Sequence, residues 1–210
     1  MILYCVRHGE SAFNAEKRIQ GQLNVELSPL GLRQAEAIGQ ALSKVPLQAV
    51  FSSPLARAYD TARPVAAAHG LTIQTDDRLK EIHAGIFQGL LWSEIQSSHP
   101  EDAKRWIAQE PDFVIPEGES RRALMVRGRE ALEAIRETGL ERVAVVAHGG
   151  VLTAAFKALL EIPAQRNPFS LFNGSISRLD WGTKLKLVTL NEMEHLRSVN
   201  GGSDGSSGDL

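Results

Sequence analysis

Two rhythms of apolar residues alternate along the chain. Short apolar blocks, such as Ile2-Leu3-Tyr4-Cys5-Val6 and Val143-Ala144-Val145-Val146-Ala147, are separated by stretches where apolar residues return every three or four positions. Blocks of this length read as buried strands, and the longer spacing reads as amphipathic helix. Their alternation predicts an α/β layered domain. Strands are expected over residues 2–6, 49–52, 71–75 and 143–147, with two more near 171–179 and 185–190.

Helix signals fill the intervals. Ser28-Pro29 sets a hydroxyl N-cap ahead of a proline at the first helical position. Leu30, Ala35, Ile38 and Leu42 then carry an apolar stripe to about Lys44. A helix is expected over about 55–69, where Pro64 predicts a kink or break and Gly70 a stop. Residues 92–110 read as one or two short helices broken near Pro100, whose Trp92 and Trp106 are packing residues placed to cover a site. Ser120 N-caps a long helix to about Glu137, and residues 151–160 form the helix after the 143–147 strand.

Three expected strands end at polar groups. The first delivers Arg7-His8-Gly9, the second runs into Ser52-Ser53-Pro54 with Arg57 in the next helical turn, and the 143–147 strand ends at His148-Gly149-Gly150. Open α/β sheets bind ligands beyond the carboxyl ends of their strands, so segments distant in sequence are expected to meet in one crevice. The helix that opens at Gly149 adds free N–H groups and a positive dipole end, both of which favour an anion.

Composition narrows the class without naming the chemistry. A chain of 210 residues, 43% hydrophobic and 23% charged, has the length and composition of one soluble globular domain. A net charge of −2 gives no reason to expect nucleic acid or an anionic membrane as partner. No apolar window approaches a membrane span, and no targeting segment is visible. The single cysteine, Cys5, excludes an internal disulfide, reads as an inert buried thiol, and fits a cytoplasmic protein. Residues 1–197 are expected to form the domain, and 198–210 a Gly/Ser-rich mobile tail. No motif sets an oligomeric state.

The chemistry at the strand ends is that of phosphoryl transfer. Arginine binds phosphate bidentately, and a neutral histidine can attack phosphorus. Arg7 and Arg57 would neutralise and orient a phosphate monoester, with His148 as a third positive group if protonated. The second ring nitrogen of His8 should hold its proton against an acceptor such as a backbone carbonyl. The leaving alkoxide needs a proton, and Glu81 is the candidate donor, with Asp76, Asp77 and Glu119 as rivals. Glu81 must then bind a proton in the resting complex. No cofactor enters this scheme, and no His/Cys spacing supplies a metal site, so the arginines do the work that Mg²⁺ does elsewhere.

These segments, in this order, resemble the histidine phosphatase superfamily, which includes the cofactor-dependent phosphoglycerate mutases and many small phosphatases. The resemblance covers roughly residues 1–190. It implies a single-domain, three-layer α/β/α sandwich with a mostly parallel central sheet, phosphoglycerate mutase-like. It also implies that His8 is phosphorylated in turnover, that Arg7, Arg57 and His148 surround the phosphoryl group, and that Glu81 is the proton donor. Asn14 and Gln20-Gly21 would complete the substrate pocket, Gly149 would offer a backbone N–H, and His83 is a candidate ligand-facing residue.

The expected activity is hydrolysis of a small phosphorylated metabolite. The alternative is a phosphoglycerate mutase, which returns the phosphoryl group to a substrate hydroxyl; a non-catalytic phospho-ligand module is a third reading. Mutases of the family carry a longer insertion after the glutamate segment, which supplies paired arginines to the substrate carboxylate, and tend to have a tyrosine three residues after the glutamate. Here that position is Ala84 and the stretch to Gly118 is short. Arg121-Arg122 is a pair, but it opens a predicted helix without the matching context.

Overall fold

A computed structural model of the chain describes residues 1–200; the final stretch 201–210, most of the expected tail, lies outside the described residues. Six strands form one sheet, β1 (Ile2–Arg7), β2 (Ala49–Ser52), β3 (Ile73–Thr75), β4 (Arg142–Ala147), β5 (Ile176–Trp181) and β6 (Leu185–Glu192), in the order β3-β2-β4-β1-β5-β6. The first four strands run parallel, and β5 and β6 add an antiparallel edge. The central strand β4 is buried almost throughout, as its unbroken apolar run requires.

The period-two alternation of β1 divides the core. Leu3 and Cys5 join one apolar cluster, which includes Leu132 and Ile135 of α6 (Arg121–Glu137) and Leu152 and Phe156 of α7 (Gly149–Leu159). Val6 joins a second, with Ile38 and Leu42 of α2 (Pro29–Leu42) and Ala58, Ala62 and Val65 of α3 (Ala56–Ala67). Apolar cores on both faces make the expected α/β/α sandwich with a mostly parallel sheet. Burial raises the pKa of the Cys5 thiol, which keeps it protonated and inert.

Most element boundaries fall within two residues of expectation, and the exceptions have physical causes. Five residues, Ala12–Glu16, form a short helix α1 that apolar periodicity cannot show; Ser11 and Asn14 close it with a capping box. Residues 92–110 hold two helices, α4 (Trp92–Ser98) and α5 (Pro100–Ile107), with Pro100 in the first turn of the second. α3 runs through Pro64 without a break. Strand β5 starts five residues late, because Gly174 takes φ +72° and Ser175 N–H donates to the Phe172 carbonyl. Residues 171–175 turn instead of extending, and their polar groups go to the site described next.

Among the described residues no helix is long and apolar enough to cross a membrane.

Candidate active site

The carboxyl ends of β1, β2 and β4 converge. Arg7 closes β1, and the His8 backbone N–H donates to the Ala147 carbonyl at the end of β4 at 3.0 Å. This bond sets the two strand-end histidines side by side, with ring centroids of His8 and His148 5.0 Å apart. Arg57 reaches them from the first turn of α3. All four side chains are buried to within 1% exposure, so charge here is poorly screened.

The guanidinium groups are fixed by carbonyls. Arg57 donates from Nη1 to Leu23 and from Nη2 to Gly21, both at 2.8 Å. Gly21 can offer its carbonyl because its φ of +54° suits glycine, and a Cβ there would strike Gln88 and Ala84. Arg7 donates to the Leu171 carbonyl and, at 3.2 Å, to Asn173 Oδ1. Asn173 Nδ2 in turn donates to the His8 carbonyl at 3.2 Å and to Asn14 Oδ1 at 3.1 Å. Asn173 therefore ties Arg7, the nucleophile segment and α1 together. Its Asn-Gly dipeptide, a turn signal inside a supposed strand, was the available clue.

The ring of His8 is oriented by its own loop. Nδ1 lies 2.6 Å from the Gly9 carbonyl, which can only accept, so Nδ1 carries the proton. Burial, then the charges of Arg57 and Arg7, push the His8 pKa well below its ordinary value. The neutral ring therefore keeps its lone pair on Nε2. His148 is likewise neutral, held down by burial and by Arg57. Its Nε2 meets Ser53 Oγ at 2.8 Å, while its buried Nδ1 has no hydrogen-bond partner among the described residues.

Glu81 sits at the start of α7. Its carboxylate accepts N–H bonds from Ile82 (2.8 Å), Gly150 (2.9 Å) and Val151 (3.0 Å). A Cβ at residue 150 would lie 2.4 Å from Glu81 Oε1, so glycine is needed there for close approach. The helix N-terminus expected to face phosphate thus also holds the candidate acid. Arg127 clamps the chain behind it, donating to the carbonyls of Lys80 (2.5 Å) and Glu81 (2.8 Å) while pairing with Glu119. The rival acids are committed elsewhere: Glu119 to Arg127, Asp76 to Arg78, and Asp77 to Lys80.

A cavity of about 740 Å³ opens beside this centre, and Asn14, Gln20, Gly21, Arg57, Glu81 and Gly149 all line it. The Asn14 amide oxygen also serves the α1 cap, and Gln20 Oε1 accepts from Ser11 Oγ at 2.7 Å. His83 is outside: its Nδ1 accepts the Gly85 N–H at 3.3 Å, and its ring does not line the cavity. Trp92 and Trp106 form part of the wall. Among the described residues, no three His, Cys, Asp or Glu side chains group as a metal site.

The model of the histidine phosphatase superfamily (branch 1) matches residues 3–192. The chain belongs to the histidine phosphatase superfamily. A metal-independent phosphoserine phosphatase of Arabidopsis thaliana is 39% identical over 97% of this chain and 87% of its own length. Phosphoglycerate mutase-like protein 4 of the same plant is 37% identical over 97% of this chain and 90% of its own. A mycobacterial glucosyl-3-phosphoglycerate phosphatase solved with VO3 superimposes with a TM-score of 0.82 at 35% identity, covering 90% of this chain and 98% of that one. This chain is an enzyme of that superfamily, with phosphatases and mutase-like proteins among its relatives.

Proposed function

We propose that this enzyme is a phosphomonoesterase that hydrolyses a small phosphorylated metabolite through a phosphohistidine on His8. The observation that carries the reading is the state of that ring: neutral, with Nδ1–H held by the Gly9 carbonyl and Nε2 left as the nucleophile. Arg7 and Arg57 receive the phosphoryl oxygens, with the Gly149 N–H and the unpartnered Nδ1 of His148 beside them. Their preorganised charge offsets the repulsion between a nucleophile's lone pair and a dianion.

In the first step the Nε2 lone pair forms a P–N bond as the P–O bond to the leaving group breaks. The electron pair goes to the leaving oxygen, and Glu81 supplies its proton. The N–H groups of Ile82, Gly150 and Val151 fix the position of the Glu81 carboxyl group for this transfer. In the second step water attacks phosphorus and gives a proton to Glu81, and the P–N pair returns to Nε2. Inorganic phosphate leaves. Asn14, Gln20 and Gly21, on the cavity wall, bound the leaving group, and His83, whose Nδ1 accepts the Gly85 N–H, is given no part in binding.

Quenching with ³²P-labelled substrate is expected to leave an acid-labile, alkali-stable label on His8. Labelling and normal turnover in His8→Ala would overturn the mechanism. Vanadate, which a relative's structure contains, is expected to inhibit, and activity is expected to survive EDTA. The mutase reading shares phospho-His8 and is separated by supplying 3-phosphoglycerate with catalytic 2,3-bisphosphoglycerate. Phosphate release is expected to exceed 2-phosphoglycerate formation, because Ala84 and the short Glu81-to-Gly118 stretch leave a smaller cover over the phosphohistidine.

A further inference from the structure

The arginine pair at the start of α6 splits. Arg122 turns outward and pairs with Asp112. Arg121, which has no such partner, turns into the cavity, where its guanidinium carbon lies 3.2 Å above the centre of the Trp106 ring. Stacking satisfies the face of a guanidinium but not its in-plane N–H groups, and the buried Nη1 has no hydrogen-bond partner among the described residues.

A second cation, itself buried, stands close by. Lys157 of α7 also lines the cavity, and its ammonium donates to the Ala164 carbonyl at 2.7 Å, which uses one of three donors. Burial lowers the pKa of both groups, Arg121 to about 10, and the charge of Arg121 lowers that of Lys157 further. Neither forms an ion pair among the described residues. Glu81 is the one acidic residue on the wall, and its carboxylate is held by the N–H groups of Ile82, Gly150 and Val151. A half-buried and a buried cation side by side, with no counter-ion among the described residues, are costly, and an anion entering between them relieves that cost.

This anion is not the transferred phosphoryl group. Lys157 stands eight residues beyond Gly149 on α7, ~12 Å along the helix axis from the end that meets Glu81, and Arg121 approaches from the start of α6. The cavity has room for both groups, since pockets of ~300–1,000 Å³ hold drug-sized ligands. The rest of the wall is largely apolar and includes Ile19, Leu124, Met125 and Phe169.

We infer that Arg121 and Lys157 form a second anion subsite, so that the preferred substrate is a phosphomonoester whose leaving group carries a second anionic group at its far end. The inference rests on the phosphatase reading for the word substrate, but the subsite itself is a binding claim.

The test is a series of ω-carboxyalkyl phosphates of increasing chain length, each compared with the ω-hydroxyalkyl phosphate of equal length. A parallel series of α,ω-alkanediol bisphosphates separates carboxylate from phosphate as the bound anion. At one chain length kcat/KM is expected to favour the anionic compound by ~10- to 100-fold, mainly through KM, as charge-assisted hydrogen bonds provide. Arg121→Met should bring that ratio close to one, Arg121→Lys should restore part of it, and Lys157→Met should reduce it. The same ligands titrated calorimetrically into His8→Ala give a readout free of turnover. No preference at any chain length in either anionic series, or a preference that survives Arg121→Met, overturns the subsite. Wild-type enzyme that binds the anionic compounds through Arg121 but hydrolyses none of them keeps the subsite and overturns the phosphatase reading.

Discussion

The floor and the outer wall of the cavity are built in opposite ways. On the floor, which Arg57 lines, and in the buried centre beside it, which holds Arg7 and His8, polar groups are tied to one another through carbonyls and amides: Arg57 to Leu23 and Gly21, Arg7 to Leu171 and Asn173, His8 to Gly9. The wall is mostly apolar, and two of the cations on it, Arg121 and Lys157, have no carboxylate partner among the described residues. A reaction centre must hold its geometry while charge moves, so it is preorganised by bonds that exist before substrate arrives. A wall that selects among leaving groups needs instead a demand that the right ligand alone meets. On this reading the floor sets what is done and the wall sets to which molecule.

The contrast is tested most severely by His8→Ala. Turnover is expected to fall by on the order of 10⁴-fold or more, as when other covalent nucleophiles are removed, while the chain-length preference in calorimetric binding persists. A His8→Ala protein that loses that preference would show that floor and wall are not separable. Next in size is Glu81→Gln. Alkyl phosphates are expected to lose ~10²- to 10⁴-fold in kcat, and p-nitrophenyl phosphate far less, because nitrophenolate leaves without a proton. Equal losses on both substrates would remove Glu81 from the acid role.

Gly150→Ala probes the floor without removing a functional group. Its Cβ would stand 2.4 Å from Glu81 Oε1, so the carboxylate must move. A loss of ~10- to 100-fold in kcat for alkyl phosphates is expected, with KM little changed. Unaltered kcat would mean that the carboxylate position is not critical.

The buried histidines predict a stability signature. Both have depressed pKa values when folded, whereas the unfolded chain takes up protons near pH 6.5. Their contribution is therefore complete above about pH 6.5 and falls as pH drops towards the folded values. Between pH 6.5 and 5.5 the expected loss is roughly 1 kcal/mol per histidine, read from denaturant unfolding. His8→Gln and His148→Gln should each flatten that slope; a double variant with the wild-type slope would assign the effect elsewhere. The smallest effect belongs to the wall: Trp106→Leu removes the ring under Arg121 and should cut the carboxylate preference by roughly fivefold, the size of one cation–π contact. A preference left intact would show that Arg121 needs no support from that ring.

The alternation of apolar blocks and amphipathic stretches already determined an α/β layered domain, and the strand-end positions of His8, Arg57 and His148 already placed them in one crevice. Both follow from local rules, since burial selects apolar runs and parallel strands send their carboxyl ends to one edge. The family resemblance added Glu81, Asn14, Gln20, Gly21 and Gly149, all of which line the cavity, and His83, which does not. What only the tertiary structure decided are contacts across long sequence distances. Residues 171–175 leave the strand pattern because Arg7 and His8, more than 160 residues earlier, use their polar groups. The helix end expected to bind phosphate also holds Glu81, because residue 150 lacks a side chain at that contact. Arg121 and Arg122 are neighbours in sequence yet face opposite environments, since successive helical residues point about 100° apart and only packing against Trp106 and α7 says which of them faces the cavity.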